Sequence, residues 1–258
     1  MNIVIDIRRF VNTALAYKIE PFLYVSDDPN EIKRLSESGH IVVPVLTEAN
    51  RDEDFSSYKY VITNPEEVDD DYYYKIWLRY ARLPWEILTT DRCIVREMTE
   101  EDVKALYEVY KDDSVTKYTE PLFPDLEDEL TYTRNYIENV YSYFGFGTWV
   151  IVNKEDGKII GRAGFNYRDG YEEPELGYVI GKEYQNKGFA TEVCSAIIKY
   201  GYEELGFDSV SAFSHRDNIP SCKLLNNLGF EKVKEGIEVS FVNNEDKMIL
   251  DQYISKNN

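Results

Sequence analysis

The sequence predicts an α/β protein with two domains, a small parallel α/β domain at residues 1–88 and a larger domain at residues 89–258. In the first domain, short β-prone runs alternate with helical patterns, which is typical of a parallel sheet. In the second, β-prone runs flank the Asp156-Gly157 pair, which predicts a hairpin. A strand, a turn and a helix then follow one another from Glu175 to Tyr200.

Length, composition and charge narrow the classes of protein that this chain can represent. Its 258 residues are 43% hydrophobic and 14% aromatic, which is enough apolar material for one large core or two ordinary ones. The net charge of −19 would repel a phosphate backbone, so we expect no nucleic-acid partner. The same charge slightly favours a cationic acceptor such as an amine or a basic peptide.

Cysteine and histidine are scarce. Cys93, Cys194 and Cys222 are isolated from one another, which predicts reduced thiols and a cytoplasmic protein, with Cys194 in the core. Only His40 and His215 are present, so we expect no metal site built on histidines. No signal peptide or long apolar run is visible, so we expect no membrane partner.

The first 88 residues read as alternating strands and helices. Strands are predicted at 2–7, 21–26, 41–46 and 60–63, and helices at 8–17, 29–38 and 71–82. Asp27 or Asp28 can cap a helix that has Pro29 at its first position, and Gly39 ends that helix.

This first domain resembles part of a haloacid dehalogenase-like fold. The residues that carry the resemblance are the segments 23–46 and 58–68. The chemistry of that family needs two aspartates two residues apart after the first strand, whereas here Asp6 is followed at that spacing by Arg8. A cation cannot serve as the general acid, so we expect no phosphatase activity and interpret the domain as an accessory remnant of that fold.

The second domain opens with a strand and two helices. A strand is predicted at 93–97, and Thr99 with Asp102 forms a capping-box pattern at the next helix. An irregular segment at 112–124 leads to a second helix at 125–143. The hairpin strands are predicted at 148–152 and 158–167, and a later strand at 209–214.

The joint at 175–191 combines a strand with the start of a helix. The strand ends at Ile180, and small residues at Gly188 and Ala190 begin the helix. The first N–H groups of a helix lack intrahelical partners and carry the positive end of its dipole. Small side chains let a phosphate approach these groups, so the joint predicts a pyrophosphate site.

These residues resemble the GNAT N-acetyltransferases. The pattern Gln185-x-x-Gly188-x-Ala190 is similar to the acetyl-CoA loop of that family, and Asn218-x-x-Ser221 followed by Leu228-Gly229-Phe230 is similar to its next helix and strand. The resemblance covers about residues 93–255 and leans toward the ribosomal-protein N-terminal acetyltransferases. It implies an α+β domain with a central mixed, mostly antiparallel sheet, and acetyl-CoA as co-substrate without a metal.

The resemblance also implies which residues bind acetyl-CoA. The strand backbone would pair with pantetheine, the loop and first helical turn would hold the pyrophosphate, and a helix cap would contact pantetheine. These residues are Tyr178, Val179, Ile180, Gln185, Asn186, Lys187, Gly188, Phe189, Ala190, Thr191 and Asn218. Lys182, Lys187 and Lys223 are candidates for local positive charge.

Acetyl transfer to an amine needs a base and an acid. An alkylammonium has a pKa of about 10.4, so a general base is useful at neutral pH. Glu175 at the strand start is the candidate, with Glu173 as the alternative. The family's usual acid, a Tyr seven residues after the motif Asn, is replaced here by Leu225. The resemblance to the ribosomal-protein subset makes Ser221 the candidate acid instead.

The acceptor side is predicted from the segment between the two helices. Tyr118 and Glu120 in that segment, Glu173, and His215 after the 209–214 strand are the candidate substrate residues. We expect direct transfer in a ternary complex to a primary amine, either a protein N-terminus or a small amine. The alternative is a non-catalytic acyl-CoA-binding sensor, which the missing Tyr at Leu225 motivates. The oligomeric state is left open between monomer and homodimer.

Overall fold

The computed structural model describes residues 1–10, 19–240 and 247–257. These residues form two compact units, Met1–Trp85 and Glu86–Asn258. Within the described ranges, no helix combines the length and apolar character that crossing a membrane requires.

The described residues of the first unit form a three-stranded sheet and two α-helices. Its strands are β1 (Asn2–Asp6), β2 (Phe22–Ser26) and β3 (Ile41–Pro44), in that order across the sheet. Its helices are α1 (Pro29–Glu37) and α2 (Asp70–Tyr80), and a 3₁₀ turn spans Pro65–Glu67. Each helix begins at a capping aspartate, as expected for this residue type. Asp28 accepts a hydrogen bond from the Asn30 N–H at 2.9 Å, and Asp69 accepts one from the Tyr72 N–H at 2.8 Å.

The first sheet is only partly parallel, which corrects the predicted arrangement. Strands β2 and β3 run parallel, but β1 pairs with β2 in the antiparallel direction. Alternation of strands and helices does not by itself set the direction of the first pair. The strand predicted at 60–63 is also wrong, because only Ile62 forms an isolated bridge, to Val45.

The start of the chain departs from its predicted helix. Ile7–Arg9 forms a 3₁₀ turn, while residues 11–18 of the helix predicted at 8–17 lie outside the described ranges. The Arg8 guanidinium donates two hydrogen bonds to the Asp6 carboxylate, at 2.8 and 2.6 Å, and this lowers the pKa of Asp6. The Asp6 side chain is therefore occupied by its own neighbour.

The second unit is built on one mixed sheet. Its described strands are β4 (Glu86–Thr89), β5 (Cys93–Arg96), β6 (Thr148–Asn153), β7 (Ile159–Asn166), β8 (Glu175–Ile180), β9 (Ser209–Ser214), β10 (Glu231–Ser240) and β11 (Lys247–Lys256). They lie in the order β10-β11-β9-β8-β7-β6-β5-β4. All neighbouring pairs are antiparallel except β8 and β9, which run parallel. The predicted mixed, mostly antiparallel sheet is confirmed.

The helices of the second unit follow the predicted order, except that α4 lies in the segment predicted to be irregular and that the helix predicted at 125–143 is divided. They are α3 (Val103–Val109), α4 (Asp113–Thr116), α5 (Leu126–Asn135), α6 (Ser142–Phe144), α7 (Phe189–Glu203) and α8 (Ile219–Asn227). Short 3₁₀ turns span Glu100–Asp102 and Lys182–Tyr184, and a π-helical stretch, Tyr136–Tyr141, joins α5 to α6. The capping box is confirmed, since the Thr99 N–H donates to the Asp102 carboxylate at 2.7 Å.

The sheet and α7 enclose the main core of this unit. Trp149, Phe165 and Ile197 are fully buried there, and Cys194 lies with them as predicted. Gly201 lets α7 approach the sheet closely, because a Cβ at that position would lie 2.7 Å from the Phe165 ring. This packing fixes where α7 begins relative to the end of β8.

Candidate active site

Strands β8 and β9 separate immediately after they meet. Their one paired position is Glu175 opposite Ser211, where the Ser211 N–H donates to the Pro174 carbonyl at 2.9 Å. On its other side β8 stays paired with β7 as far as Ile180. A Cβ added to Gly177 would meet no atom within 4 Å. The edge of β8 that faces β9 is therefore open along 176–180, and an extended ligand can add to it as a strand would.

The loop after β8 presents a helix start to solvent. Gly188 precedes α7 with a φ of +83° and is exposed, and among the residues that the structure describes no side chain caps this end of the helix. Asn186 also has a positive φ, of 58°. Gln185 ties the loop to the strand, since its Nε2 donates to the Ile180 carbonyl at 2.9 Å. The exposed backbone N–H groups of the first turn, including that of Thr191, are suited to binding an anion.

Arg92 supports this loop, and sequence reasoning missed it. Its Nη1 donates to the Lys187 carbonyl at 2.9 Å, and its guanidinium lies 4.1 Å from the centroid of the Phe189 ring. Its Nε donates to the Glu192 carboxylate at 2.6 Å. Arg92 lies almost a hundred residues before the loop in sequence, and no local pattern links the two.

Glu192 anchors Arg92 from the first turns of α7. Partial burial disfavours its ionised form, but hydrogen bonds from Thr90 and Arg92 outweigh that effect and lower the pKa of Glu192. The Thr90 hydroxyl donates to this carboxylate at 2.6 Å. Because Glu192 remains ionised, Arg92 is held with its Nη2 3.4 Å from the point where a Gly188 Cβ would lie.

Three hydroxyl groups meet beside the open edge of β8. The Tyr178 hydroxyl lies 2.8 Å from Ser221 Oγ, and Ser214 Oγ donates to Ser221 Oγ at 2.9 Å. Ser221 is in the first turn of α8, where the Asn218 side chain accepts its backbone N–H at 3.3 Å. Asn218 is thus the helix cap that the sequence predicts. Burial raises the pKa of Tyr178, so the phenol stays protonated across the physiological range.

Leu225 lies in the core. It is fully buried on α8, and no proton donor occupies the position that many relatives use for the acid. The contact between Tyr178 and Ser221 was not predicted from the sequence, which assigned Tyr178 only its backbone.

Glu175 is held by an ion pair. Arg168, from the segment between β7 and β8, donates to both of its carboxylate oxygens, at 2.6 and 2.8 Å. The Arg168 guanidinium also lies 4.7 Å from the centroid of the Phe213 ring on β9. Glu173, the alternative base, is half-exposed two residues before β8 begins. The predicted base is therefore at the mouth of the gap between β8 and β9, with a cation already bound to it.

Two of the predicted acceptor-side residues contact one another. The rings of Tyr118 and His215 stack with centroids 5.0 Å apart and an interplanar angle of 23°. The Asp217 N–H donates to His215 Nδ1 at 3.1 Å, so a neutral His215 carries its proton on Nε2. In that tautomer the second ring nitrogen, Nε2, is a hydrogen-bond donor rather than a base.

Glu120 faces a buried polar cluster that the sequence did not reveal. Arg162 on β7 donates from Nε to the Tyr110 hydroxyl at 2.6 Å. Glu129 on α5 is only 1% exposed and accepts the Phe123 N–H at 2.8 Å. Burial raises the pKa of Glu129, and the negative charge of Glu120 acts in the same direction. The two carboxylates, Glu120 and Glu129, lie on the wall formed by α3, α5 and the segment between them, whereas Arg162 belongs to β7.

Comparison with known proteins assigns the family. The acetyltransferase (GNAT) domain profile matches residues 92–231, which is more than half of the chain. The chain belongs to the GNAT acetyltransferase family. It is accordingly an N-acetyltransferase, and the family members use acetyl-CoA. The profile match does not reach residues 1–91, so the resemblance of the first domain to a haloacid dehalogenase-like fold stays a prediction.

Several curated GNAT relatives cover the same part of the chain. The chain is 36% identical over 152 residues to the uncharacterized N-acetyltransferase p20 of Bacillus licheniformis, which covers 57% of this chain and 83% of the relative. It is 31% identical over 153 residues to N-acetyltransferase YoaA of Bacillus subtilis, also uncharacterized, covering 58% and 85%. It is 29% identical over 163 residues to the ribosomal protein uS5-alanine N-acetyltransferase of Escherichia coli, covering 59% and 81%.

Solved structures support the fold. A GNAT-family acetyltransferase from Bacillus anthracis superimposes with a TM-score of 0.54 at 22% identity, covering 66% of this chain and 97% of that one. The ribosomal-protein-S5-alanine acetyltransferase of Vibrio fischeri superimposes with a TM-score of 0.51 at 18% identity, covering 64% and 94%. At these identities the likeness concerns the fold alone.

Proposed function

We propose that this enzyme transfers an acetyl group from acetyl-CoA to a primary amine, a protein N-terminus or a small amine, by direct transfer in a ternary complex. The observation that carries the proposal is the open edge of β8, which leads from the Ser221 and Tyr178 hydroxyls to the uncapped start of α7. One continuous path therefore joins a proton donor to an anion site.

The shape and charge of this path fit acetyl-CoA. The pantetheine arm adds to the backbone of Tyr178, Val179 and Ile180, and the pyrophosphate lies on the N–H groups from Gly188 to Thr191. Arg92 and Lys187 bring positive charge to a protein whose net charge is −19. Acetyl-CoA supplies the activated acetyl thioester; the protein supplies binding, orientation and proton transfer.

Ser221 is the proposed acid and Glu175 the proposed base. Ser221 Oγ is half-exposed next to the open edge of β8, whereas the alternative position, Leu225, carries an apolar buried side chain. Glu175 accepts two hydrogen bonds from Arg168 and keeps further lone pairs for a water or an amine. The stacked Tyr118 and His215 rings, with Glu120 and Glu173, line the acceptor side.

A protein N-terminus is the favoured acceptor within this class. The relative from Escherichia coli is named for acetylating an alanine of ribosomal protein uS5, and the chain is 29% identical to it over 163 residues. The first unit, residues 1–85, has an accessory role in this proposal, because Asp6 is engaged by Arg8 instead of being available for phosphoryl chemistry.

The test is CoA thiol release from acetyl-CoA across a panel of amines and short peptides. We expect amine-dependent release by the wild type, with the largest rates for peptides that have a free N-terminus. Ser221→Ala and Glu175→Gln should lose activity by about 10²-fold or more while acetyl-CoA still binds. Glu127→Gln, an exposed carboxylate on α5, is the control and should match the wild type.

Two outcomes would contradict the proposal. If acetyl-CoA binds but no acceptor yields thiol, the chain acts as an acyl-CoA sensor rather than as a transferase. If acetyl-CoA does not bind, the open edge of β8 and the start of α7 do not form its site.

A further inference from the structure

The hydroxyl groups around Ser221 have a definite number of protons and acceptors. A serine hydroxyl has one proton to donate and two lone pairs that accept. Ser214, which is buried, lies 3.4 Å from the His215 carbonyl but only 2.9 Å from Ser221 Oγ, so it donates its proton to Ser221 Oγ and takes up one lone pair. The second close partner of Ser221 Oγ is the Tyr178 hydroxyl at 2.8 Å.

Two arrangements of protons are compatible with this contact. In the first, Ser221 donates to the Tyr178 oxygen at 2.8 Å. The Tyr178 hydroxyl must then donate to the Ser221 carbonyl at 3.5 Å, which is a long hydrogen bond. In the second, Tyr178 donates to Ser221 Oγ, so both lone pairs of Ser221 are occupied. The Ser221 proton must then point away from both partners, and Ser221 itself is only half-buried.

We propose that Tyr178 is a positioning residue that selects the second arrangement and turns the Ser221 proton toward the departing sulfur of CoA. The inference rests on the proposed function. It explains how a serine can serve as the acid in this family member, in which Leu225 occupies the position of the family's usual acid. Two hydrogen bonds donated to Ser221 Oγ also stabilise negative charge on that oxygen and so make its proton easier to transfer.

Every bond and proton in the proposed step is accounted for. The amine nitrogen bonds to the carbonyl carbon, and the bond between that carbon and sulfur breaks with its electron pair on sulfur. Ser221 Oγ gives its proton to the sulfur, while Tyr178 keeps its own proton and continues to donate a hydrogen bond to Ser221 Oγ. Water then returns a proton to Ser221 Oγ, and this uptake is balanced by the proton that the amine nitrogen loses to the base.

A binding measurement tests the inference without turnover. The ultraviolet absorbance of the thiolate reports the pKa of the thiol in protein-bound CoA. We expect the wild type to lower this pKa. In Tyr178→Phe, Ser221 has lost one hydrogen-bond donor, so the acid dissociation constant of the bound thiol should be about tenfold smaller than in the wild type. Tyr253→Phe is the matched control, because Tyr253 is a buried tyrosine whose hydroxyl donates to Cys222 Sγ at 3.5 Å and, within the described residues, makes no hydrogen bond to Ser221. Equal thiol pKa values in the wild type and Tyr178→Phe would overturn the inference.

Kinetics supply a second readout. Tyr178→Phe should lower kcat about tenfold or more and leave the KM for acetyl-CoA unchanged, and adding it to Ser221→Ala should cost nothing further. If Tyr178→Phe does not fold, Ser214→Ala removes the other donor and should shift the thiol pKa in the same direction. If the kcat of Tyr178→Phe equals that of the wild type, this inference is overturned and the proposed function is not. Absence of amine-dependent turnover in the wild type would overturn the proposed function and the inference with it.

Discussion

Arg168 donates to both oxygens of Glu175, at 2.6 and 2.8 Å, at the point where β8 and β9 separate. Both side chains are largely buried, with 26% and 16% of their surfaces exposed. The pair closes the mouth of the gap while leaving the rest of the β8 edge open. It therefore links the stability of the sheet to the group proposed as the base.

Removing Arg168 should destabilise the second unit. Arg168→Met leaves the Glu175 carboxylate unpaired and mostly buried, which costs about 1–3 kcal/mol of unfolding free energy. Adding Glu175→Gln should recover part of this loss, because an amide is less costly to bury than an unpaired charge. Urea unfolding of the two single variants and the double variant measures the coupling. Arg134→Met, which breaks the exposed pair with Glu100, is the control and should cost at most about 1 kcal/mol; equal costs at both sites would contradict this account.

The left-handed conformation of Gly188 should be needed for acetyl-CoA binding. Gly188→Ala places a Cβ 3.4 Å from Arg92 Nη2 and strains a residue whose φ is +83°. Gly206→Ala is the matched control, because its φ is +70° and its Cβ would meet no atom within 4 Å. Both variants should lose about 1 kcal/mol or more of stability. Calorimetry should show at least about tenfold weaker acetyl-CoA binding only in Gly188→Ala; equal affinities in the two variants would remove Gly188 from the site.

Arg92 should contribute charge to the phosphate site. We expect Arg92→Met to weaken acetyl-CoA binding about tenfold, since a charge-assisted contact and the support of the Lys187 carbonyl are both lost. The variant should also show a shallower dependence of affinity on salt concentration. Lys199→Met, which removes one positive charge farther along α7, is the control and should leave both quantities unchanged. A salt dependence identical to that of the wild type would mean that Arg92 only supports the loop.

Glu129 should make stability depend on pH. Because burial raises its pKa above the ordinary value of 4.5, the folded protein holds a proton that the unfolded chain has released. The free energy of unfolding that protonated Glu129 contributes is therefore fully present below pH 4.5, and it is lost as the pH rises through the pKa of Glu129 in the folded state. Glu129→Gln keeps an acceptor for the Phe123 N–H and should be more stable than the wild type at neutral pH, with the difference vanishing below the ordinary value. Unfolding midpoints measured across pH check this, and a pH-independent difference would contradict it.

Local signals in the sequence predict much of the second unit. The hairpin across Asp156-Gly157, the capping box at Thr99 and the strand at 209–214 are all present, because each depends on residues close together in the chain. Helix α7 begins after Gly188 for the same reason. In the first unit, the same reasoning was wrong about the strand at 60–63, where only Ile62 finds a bridge, because an apolar run forms a strand only beside a partner with a free edge.

The site itself was predictable only in part. Asn218 and Ser221 follow from the family motif, and the structure brings Ser221 to the open edge of β8. No local pattern predicts that Tyr178 meets Ser221, that Arg168 binds Glu175, or that Arg92 supports the loop. Each of these contacts joins residues whose side chains meet only when different strands and helices pack together.

By itself, then, the sequence determined the α/β class, the GNAT family and the starts of those strands and helices that carry strong local signals, such as the capping box at Thr99 and the glycine before α7. These properties depend on hydrophobic period, capping residues and turn residues, which act over a few positions. Tertiary structure alone decided that β1 runs antiparallel to β2, that β8 and β9 separate after Glu175, and that two hydroxyls, from Tyr178 and Ser214, converge on Ser221. Strand direction and side-chain contact between distant elements depend on how the sheets and helices pack, and no local pattern encodes that.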